Sequence, residues 1–206
     1  MQLNRPLATI TPTLDGDILA VLAQHEVTFT AGQLHRIIDR YSEEGIRKVL
    51  LRLARQGIVQ STKVGAAHAY QLNREHLAAD SIIQLAHLAQ ALFLKIEKYL
   101  EDWDLKPQYA AIFGSAARGT MSDESDIDIL LVRPDNAQID IWDAQVSALT
   151  SDVSRWTGND VRPLEYTASE LLAARDELVV RDVMRDGLTV AGRRAWLIQH
   201  LRQRSG

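Results

Sequence analysis

Cysteine is absent from the 206 residues of this chain, which excludes disulfide bridges and thiolate metal sites. No apolar run approaches the roughly 20 residues that span a bilayer, so we expect no membrane association. The first residues, MQLNRPLATI, lack the basic region and apolar stretch of a secretion signal, and the expected location is the cytoplasm. The length allows one or two domains.

The C-terminal part of the chain has fewer basic than acidic residues. Residues 1–75 contain nine Lys and Arg against seven Asp and Glu, whereas residues 76–206 contain fourteen against twenty. Because proteins bind nucleic acids through basic side chains, this difference in net charge predicts that any nucleic-acid contact lies in the N-terminal part.

Three short helices are predicted in the first third of the chain. An apolar stripe predicts the first at residues 15–25. Thr30 and Gln33 have the spacing of a capping box and start the second. Ser42 caps the third, which Gly57 ends. The residues expected to face the core from the second and third helices are Leu34, Ile37, Ile38, Ile46, Val49, Leu50 and Leu53.

A hairpin is predicted after these helices, with its turn at Val64-Gly65-Ala66. Three short helices and a hairpin resemble a winged helix-turn-helix domain, best over residues 30–72, with YSEEGIRKVLLRLARQGIVQ as recognition helix and first wing strand. An ordinary solvated helix and a protein-binding winged helix are the alternatives. The basic residues off the apolar stripe, which suit DNA phosphates and base edges, are Arg47, Lys48, Arg52 and Arg55.

A long helical pattern spans residues 74–103, and Pro107 separates it from the next segment. The pattern is too long for a wing-domain helix alone. We therefore expect a connecting helix that packs on both halves of the chain, with packing on a second subunit, and hence a homodimer, as an open alternative.

Two aspartates interrupt an apolar strand in the segment AIFGSAARGTMSDESDIDILLV. The first strand ends at Gly114-Ser115, a turn that exposes backbone N–H groups and so suits phosphate. On the second strand, alternation places Asp126 and Asp128 on one face, roughly 7 Å apart. Two bare carboxylates there would repel each other. Divalent cations remove the repulsion, and oxygen-only ligands favour Mg²⁺ or Mn²⁺.

This segment resembles the signature of the DNA polymerase β-like nucleotidyltransferase superfamily. The resemblance lies in the strand, the Gly-Ser turn and an aspartate pair that begins eleven positions after Ser115. The form GSAARG…SDIDILLV is similar to that of small bacterial members. The resemblance is strong over residues 109–132 and thinner to about residue 172.

The resemblance implies a site for a metal–nucleotide complex, with ATP as the expected nucleotide. Gly114 and Ser115 would bind its phosphates, and Asp126 and Asp128 would coordinate two metal ions. One ion would orient the triphosphate, and the other would activate an acceptor hydroxyl to attack the α-phosphate and expel pyrophosphate. Arg118 is a further candidate for phosphate binding, with a surface ion pair as the alternative.

The family usually supplies a third carboxylate from a later strand, directly after a valine. Here Arg162 follows Val161 in the run NDVRPLEY, and the nearby acids are Asp160 and Glu165. Glu165 is the expected third catalytic metal ligand, on the same side of the sheet as the two aspartates, with a surface glutamate as the alternative. A helix over residues 140–156 is expected to cross over between the two strands.

The predicted architecture is an α/β (α+β) nucleotidyltransferase core with a mixed sheet, preceded by a winged helix-turn-helix domain and a long connecting helix. The predicted function is Mg²⁺-dependent transfer of a nucleoside monophosphate to a hydroxyl of a protein, nucleic acid or small molecule, with duplex DNA as an open partner. The alternative is a DNA-binding regulator or antitoxin whose nucleotidyltransferase domain only binds nucleotide. The expected bounds are 1–75 for the winged helix, 76–106 for the connecting helix, 107–192 for the nucleotidyltransferase domain and 193–206 for a helical tail.

Overall fold

The computed structural model describes residues 1–202, which divide into two compact units. Residues 4–89, with Gln2, form the N-terminal unit, and the chain from residue 90, with Met1 and Leu3, forms the C-terminal unit. None of the helices in the described residues is long and apolar enough to cross a membrane. The elements of the N-terminal unit are α1 (Leu14–Gln24), β1 (Phe29–Thr30), α2 (Ala31–Ile37), α3 (Glu43–Arg55), β2 (Val59–Val64), β3 (Ala67–Leu72) and α4 (Ala79–Ala86).

The helix starts of the N-terminal unit follow their capping signals. Thr30 Oγ1 accepts a hydrogen bond from the Gln33 backbone at 3.2 Å, and Gln33 Oε1 accepts one from the Thr30 backbone at 2.8 Å. Ser42 Oγ likewise accepts from the Gly45 N–H at 3.1 Å. Gly57, at φ +79°, takes the chain out of α3. These three predictions are confirmed.

The core of the N-terminal unit is filled from α1 to α4 and from an antiparallel sheet in the order β1-β3-β2. Leu34, Ile38 and the third helix's Ile46, Leu50 and Leu53 are buried as predicted. Ile37 is 54% exposed, so its predicted burial is wrong. Its helix is only two turns long, and a single narrow stripe of it reaches the core.

The long helix predicted over residues 74–103 is wrong, because the chain forms two helices there. The second is α5 (Leu88–Glu101), and the first ends at His87, whose N–H donates to the carbonyls of Ile83 and Gln84 at φ −101° and ψ 14°. Each helix has its own buried stripe, Ala79, Ile82 and Ala86 on α4, and Leu92, Ile96 and Leu100 on α5.

The C-terminal unit contains a four-stranded sheet in the order β6-β5-β4-β7, which is mixed as predicted. Only the β5–β6 pair is parallel. Its helix α7 makes the predicted crossover and ends at Gly158, at φ +73°. Residues 203–206 of the predicted C-terminal tail lie outside the described residues. The elements after α5 are β4 (Tyr109–Phe113), α6 (Gly114–Arg118), β5 (Ile127–Arg133), α7 (Ile139–Thr157), β6 (Val161–Thr167), α8 (Ala168–Ala173), α9 (Leu178–Asp186), β7 (Leu188–Gly192) and α10 (Arg194–Arg202).

Both faces of this sheet are covered by helices. Tyr109, Ala111, Leu130 and Val132 share one face and pack with buried residues of α8, α9 and α10. Intervening residues of β5 are also buried, and α7 packs against β6 on the opposite face, where Trp142 contacts Glu165. Because both faces are covered, polar groups of the site are confined to the rim where β5 begins.

Candidate active site

Asp126 and Asp128 lie at the start of β5. Asp126 immediately precedes the strand, and Asp128 is its second residue. Asp128 is in register with Phe113 of β4 on one side and with Arg162 of β6 on the other. Because side chains alternate along a strand, both carboxylates project from the same face of the sheet.

Gly114 provides the space that the Asp128 carboxylate occupies. It follows β4 directly and has φ +70°, a backbone region that side chains other than glycine rarely enter. A Cβ atom at this position would overlap the Asp128 carboxylate. Glycine is therefore required at position 114 by its backbone angle and, independently, by the aspartate across the strand pair. Ser115 follows in the first turn of α6.

The charge on Asp128 is disfavoured by its surroundings. Burial is the main cause that raises the pKa of this carboxyl above its ordinary value, and the negative charge of Asp126 adds to it. The guanidinium groups of Arg162 and Arg118 oppose the shift. A further cation beside the two carboxylates would therefore stabilise their charged forms.

Two arginines stand at the rim of this carboxylate pair. Arg162 Nη2 lies 2.7 Å from Asp126 Oδ2, and its side chain is 73% exposed. Arg118, at the end of α6, has Nη1 3.9 Å from Asp182 Oδ2 of α9 while its charge acts on Asp128. Arg118 thus makes a surface ion pair, and its binding of phosphate stays a prediction.

Glu165 does not lie with the aspartates. It is in register with Leu131, three residues after Asp128, so its side chain projects from the opposite face of the sheet. There Glu165 Oε2 accepts a 2.5 Å hydrogen bond from Nε1–H of Trp142, which is fully buried on α7. The predicted convergence of three carboxylates on one side of the sheet is therefore wrong. The parallel register brings Arg162, not Glu165, beside the aspartate pair.

The donor set fits a divalent cation that is shared with a phosphate ligand. In residues 1–202 no cluster of three or more His, Cys, Asp or Glu side chains could hold a metal ion. Mg²⁺, however, is usually bound by one or two carboxylates together with waters and substrate phosphates. Asp126 and Asp128, two carboxylates on one face of the sheet, meet that requirement.

The four basic residues predicted to bind DNA lie on α3 of the N-terminal unit, where acids accompany them. Arg47 Nη2 is 2.9 Å from Glu43 Oε1, and Lys48 Nζ is 3.8 Å from Glu44 Oε1. Arg52 pairs with Asp15, and Arg55 is exposed in the last turn of the helix. These pairs reduce the positive charge that α3 presents.

Residues 94–177 match the family model for the polymerase beta nucleotidyltransferase domain. The matched range contains the Gly-Ser turn, both aspartates and the crossover helix. These residues form a polymerase β-type nucleotidyltransferase domain. The sequence-based prediction of a nucleotidyltransferase is confirmed.

Solved toxin–antitoxin complexes are similar to part of this chain. A toxin–antitoxin structure with AMP-PNP is 23% identical over 53% of this chain and 80% of its own, with a TM-score of 0.40. A tri-AMPylated HEPN toxin from Shewanella oneidensis in complex with MNT antitoxin gives 20% identity over 55% and 80%, with a TM-score of 0.38. A comparison with curated proteins finds no match.

The sequence does not indicate the contacts that Trp142 and Asp182 make around the site. Arg162 stands where the family pattern has a carboxylate, and the sequence leaves open that it turns towards the aspartates in place of Glu165, which is the arrangement that the structure has. Trp142 gave no signal beyond a helical apolar position. Asp182 lies 64 residues after Arg118, and only the packing of α9 on α6 brings them together.

Proposed function

We propose that the C-terminal unit transfers a nucleoside monophosphate from a nucleoside triphosphate to an acceptor hydroxyl, with Asp126 and Asp128 holding a divalent cation. The observation that carries this proposal is the pair of carboxylates on one sheet face, directly against Gly114, within the matched nucleotidyltransferase domain. The half-buried position of Asp128 gives the pair a need for positive charge that Mg²⁺ meets.

In this proposal, different residues bind the cation and the nucleotide. Asp126 and Asp128 hold the cation, and Gly114 leaves room for the carboxylate of Asp128. Ser115 and Arg118 bind phosphate oxygens of the nucleotide. Bound Mg²⁺ would supply charge neutralisation of the triphosphate and a lower pKa for the acceptor hydroxyl. The hydroxyl gives up its proton to water, and its oxygen bonds to the α-phosphorus while the bond to the bridging oxygen breaks and pyrophosphate leaves.

The proposal is tested with ATP and Mg²⁺ on the full chain. Calorimetry is expected to show ATP binding that depends on Mg²⁺ and is lost when Asp126→Asn and Asp128→Asn are combined, since the shape is kept and the charge removed. Asp140→Asn with Asp143→Asn, two exposed aspartates of α7, is the matched control and keeps binding. Transfer is then measured as α-phosphate label carried from ATP to hydroxyls of protein, RNA or small molecules. Equal ATP binding by the wild type and the Asp126/Asp128 variant contradicts the proposal.

A second candidate function is duplex DNA binding by the N-terminal unit, which we propose to be a winged helix-turn-helix domain. Three helices, with a hairpin after α3, support this assignment. The ion pairs of Arg47 and Lys48 are exposed and contribute little to stability, so DNA phosphates can replace the glutamates.

Salt dependence tests the DNA proposal. The logarithm of the affinity for duplex DNA should fall with the logarithm of salt by about 0.9 per phosphate contact. Arg47→Ala with Lys48→Ala is expected to flatten this slope by about two. The control is Lys98→Ala with Lys106→Ala, which removes the same charge from exposed positions of the C-terminal unit. Equal slopes for both double variants contradict a DNA-binding role of α3.

A further inference from the structure

Arg162 stands on the same face of the sheet as the carboxylate pair, at the edge strand β6. Its backbone is in register with Asp128, and its guanidinium pairs with Asp126 at 2.7 Å. The guanidinium thus pairs with one of the two residues proposed to hold the cation, and its charge also acts on the other. A guanidinium cannot ligate a metal ion, because it has five N–H donors and no lone pair to offer.

The contact between Arg162 and Asp126 is one that a ligand can exchange. The Arg162 side chain is 73% exposed, whereas that of Asp126 is 23% exposed. Water competes for the exposed guanidinium, which limits what the ion pair contributes to stability. A divalent cation that binds Asp126 therefore displaces the guanidinium at small cost, and Arg162 stays beside the site with its donors free for another anion.

The charges at the site indicate which anion binds together with the cation. Two carboxylates alone repel a triphosphate, and one divalent cation cancels only their combined charge. Arg162 and Arg118 then provide the remaining positive charge next to Asp128. Guanidinium binds phosphate in a planar, bidentate geometry, which distinguishes it from the point charge of lysine.

We propose that Arg162 is a phosphate-binding residue of the nucleotide site. It pairs with Asp126 in the free protein, moves to the phosphates of a nucleoside triphosphate when a divalent cation takes its place, and makes the site use one cation per nucleotide. This inference rests on the proposed function, since it names the residue that balances the nucleotide's charge at the same site.

The test measures Mn²⁺ and ATP binding separately in Arg162→Gln. Without its guanidinium, Asp126 loses a competitor for metal, so Mn²⁺ alone should bind more tightly. ATP in the presence of Mn²⁺ should bind about ten- to a hundredfold more weakly, which is the effect of losing hydrogen bonds to a charged group. A merely structural role of Arg162 does not move the two affinities in opposite directions. Arg162→Lys keeps the positive charge but loses the planar guanidinium that binds phosphate in a bidentate way. Its ATP affinity should lie between those of the wild type and Arg162→Gln.

Arg155→Gln is the matched control. Arg155 is 72% exposed and pairs with an aspartate, Asp152, within α7. The affinities of Arg155→Gln for Mn²⁺ and for ATP should equal those of the wild type. Mn²⁺ stoichiometry by electron paramagnetic resonance should be one per ATP in the wild type and rise to two in Arg162→Asp, which adds a carboxylate to the same face.

Three results overturn the inference. Unchanged ATP affinity in Arg162→Gln, with Asp126/Asp128-dependent ATP binding intact, removes Arg162 from the site and leaves the proposed function standing. A parallel fall of Mn²⁺ and ATP affinity in Arg162→Gln does the same. Absence of metal-dependent ATP binding in both the wild type and Arg155→Gln overturns the proposed function together with this inference.

Discussion

Replacement of Gly114 by alanine isolates the contact that shapes the carboxylate site. Gly114→Ala introduces two costs, a side chain at φ +70° and an overlap with the Asp128 carboxylate. The left-handed backbone costs about 1–2 kcal/mol for a residue with a Cβ. Overpacking adds about 1–3 kcal/mol, so the free energy of unfolding should fall by about 2–5 kcal/mol in all.

Gly158→Ala is the matched control for the backbone cost. Gly158 ends α7 at φ +73°, and a Cβ there meets no atom within 4 Å. Its replacement should cost only the backbone part, about 1–2 kcal/mol. Chemical unfolding of the two variants therefore separates the overlap with Asp128 from the strain of the left-handed conformation.

A double-mutant cycle completes this test. In an Asp128→Ala background the overlap is gone, and Gly114→Ala should cost no more than Gly158→Ala. In the wild-type background Gly114→Ala should also weaken Mg²⁺–ATP binding, because the displaced carboxylate no longer meets the cation. Equal costs of Gly114→Ala and Gly158→Ala, with no coupling to Asp128, would refute the assigned contact.

Other expected outcomes follow from single contacts and charges. Glu165→Gln should keep Mg²⁺–ATP binding, whereas Glu165→Ala should lower the free energy of unfolding by about 1–3 kcal/mol because the buried indole N–H of Trp142 loses its acceptor; loss of ATP binding in Glu165→Gln would contradict this. Asp128→Asn should raise the melting temperature of the metal-free protein, since the folded pKa of Asp128 is raised. The gain should be absent below the ordinary carboxyl pKa, grow as the pH rises towards the raised value and be complete above it, and a gain that is largest in acid would refute the sign. Glu43→Gln with Glu44→Gln should strengthen duplex DNA binding at low salt, measured by fluorescence anisotropy, and unchanged affinity would argue against α3 as the contact surface.

Features encoded by neighbouring residues could be predicted from the sequence. The caps at Thr30 and Ser42 depend on residues three positions away, so local spacing is sufficient. The Gly-Ser turn and the aspartate pair lie within fifteen residues of each other, and the strand alternation between the aspartates is local. Their shared sheet face follows from sequence for this reason.

Features that depend on distant pairing could not be predicted in the same way. The face on which Glu165 projects depends on the register between β5 and β6, and a shift of one residue reverses it. The break at His87 has no proline or glycine to announce it. Glu165, however, lies three positions after Arg162 on the same strand, and residues an odd number of positions apart project from opposite faces. Once Arg162 is aligned with the aspartates, the sequence alone therefore predicts that Glu165 projects away from them.

The most direct test of the carboxylate site is the anomalous scattering of Mn²⁺ in a crystal of the full chain with a non-hydrolysable ATP analogue. We expect a Mn²⁺ peak within coordination distance of both the Asp126 and Asp128 carboxylates and of a phosphate oxygen, with Arg162 turned from Asp126 to the phosphates. Nucleotide bound away from β5, with Asp126 still paired to Arg162 and no peak between the aspartates, would contradict it.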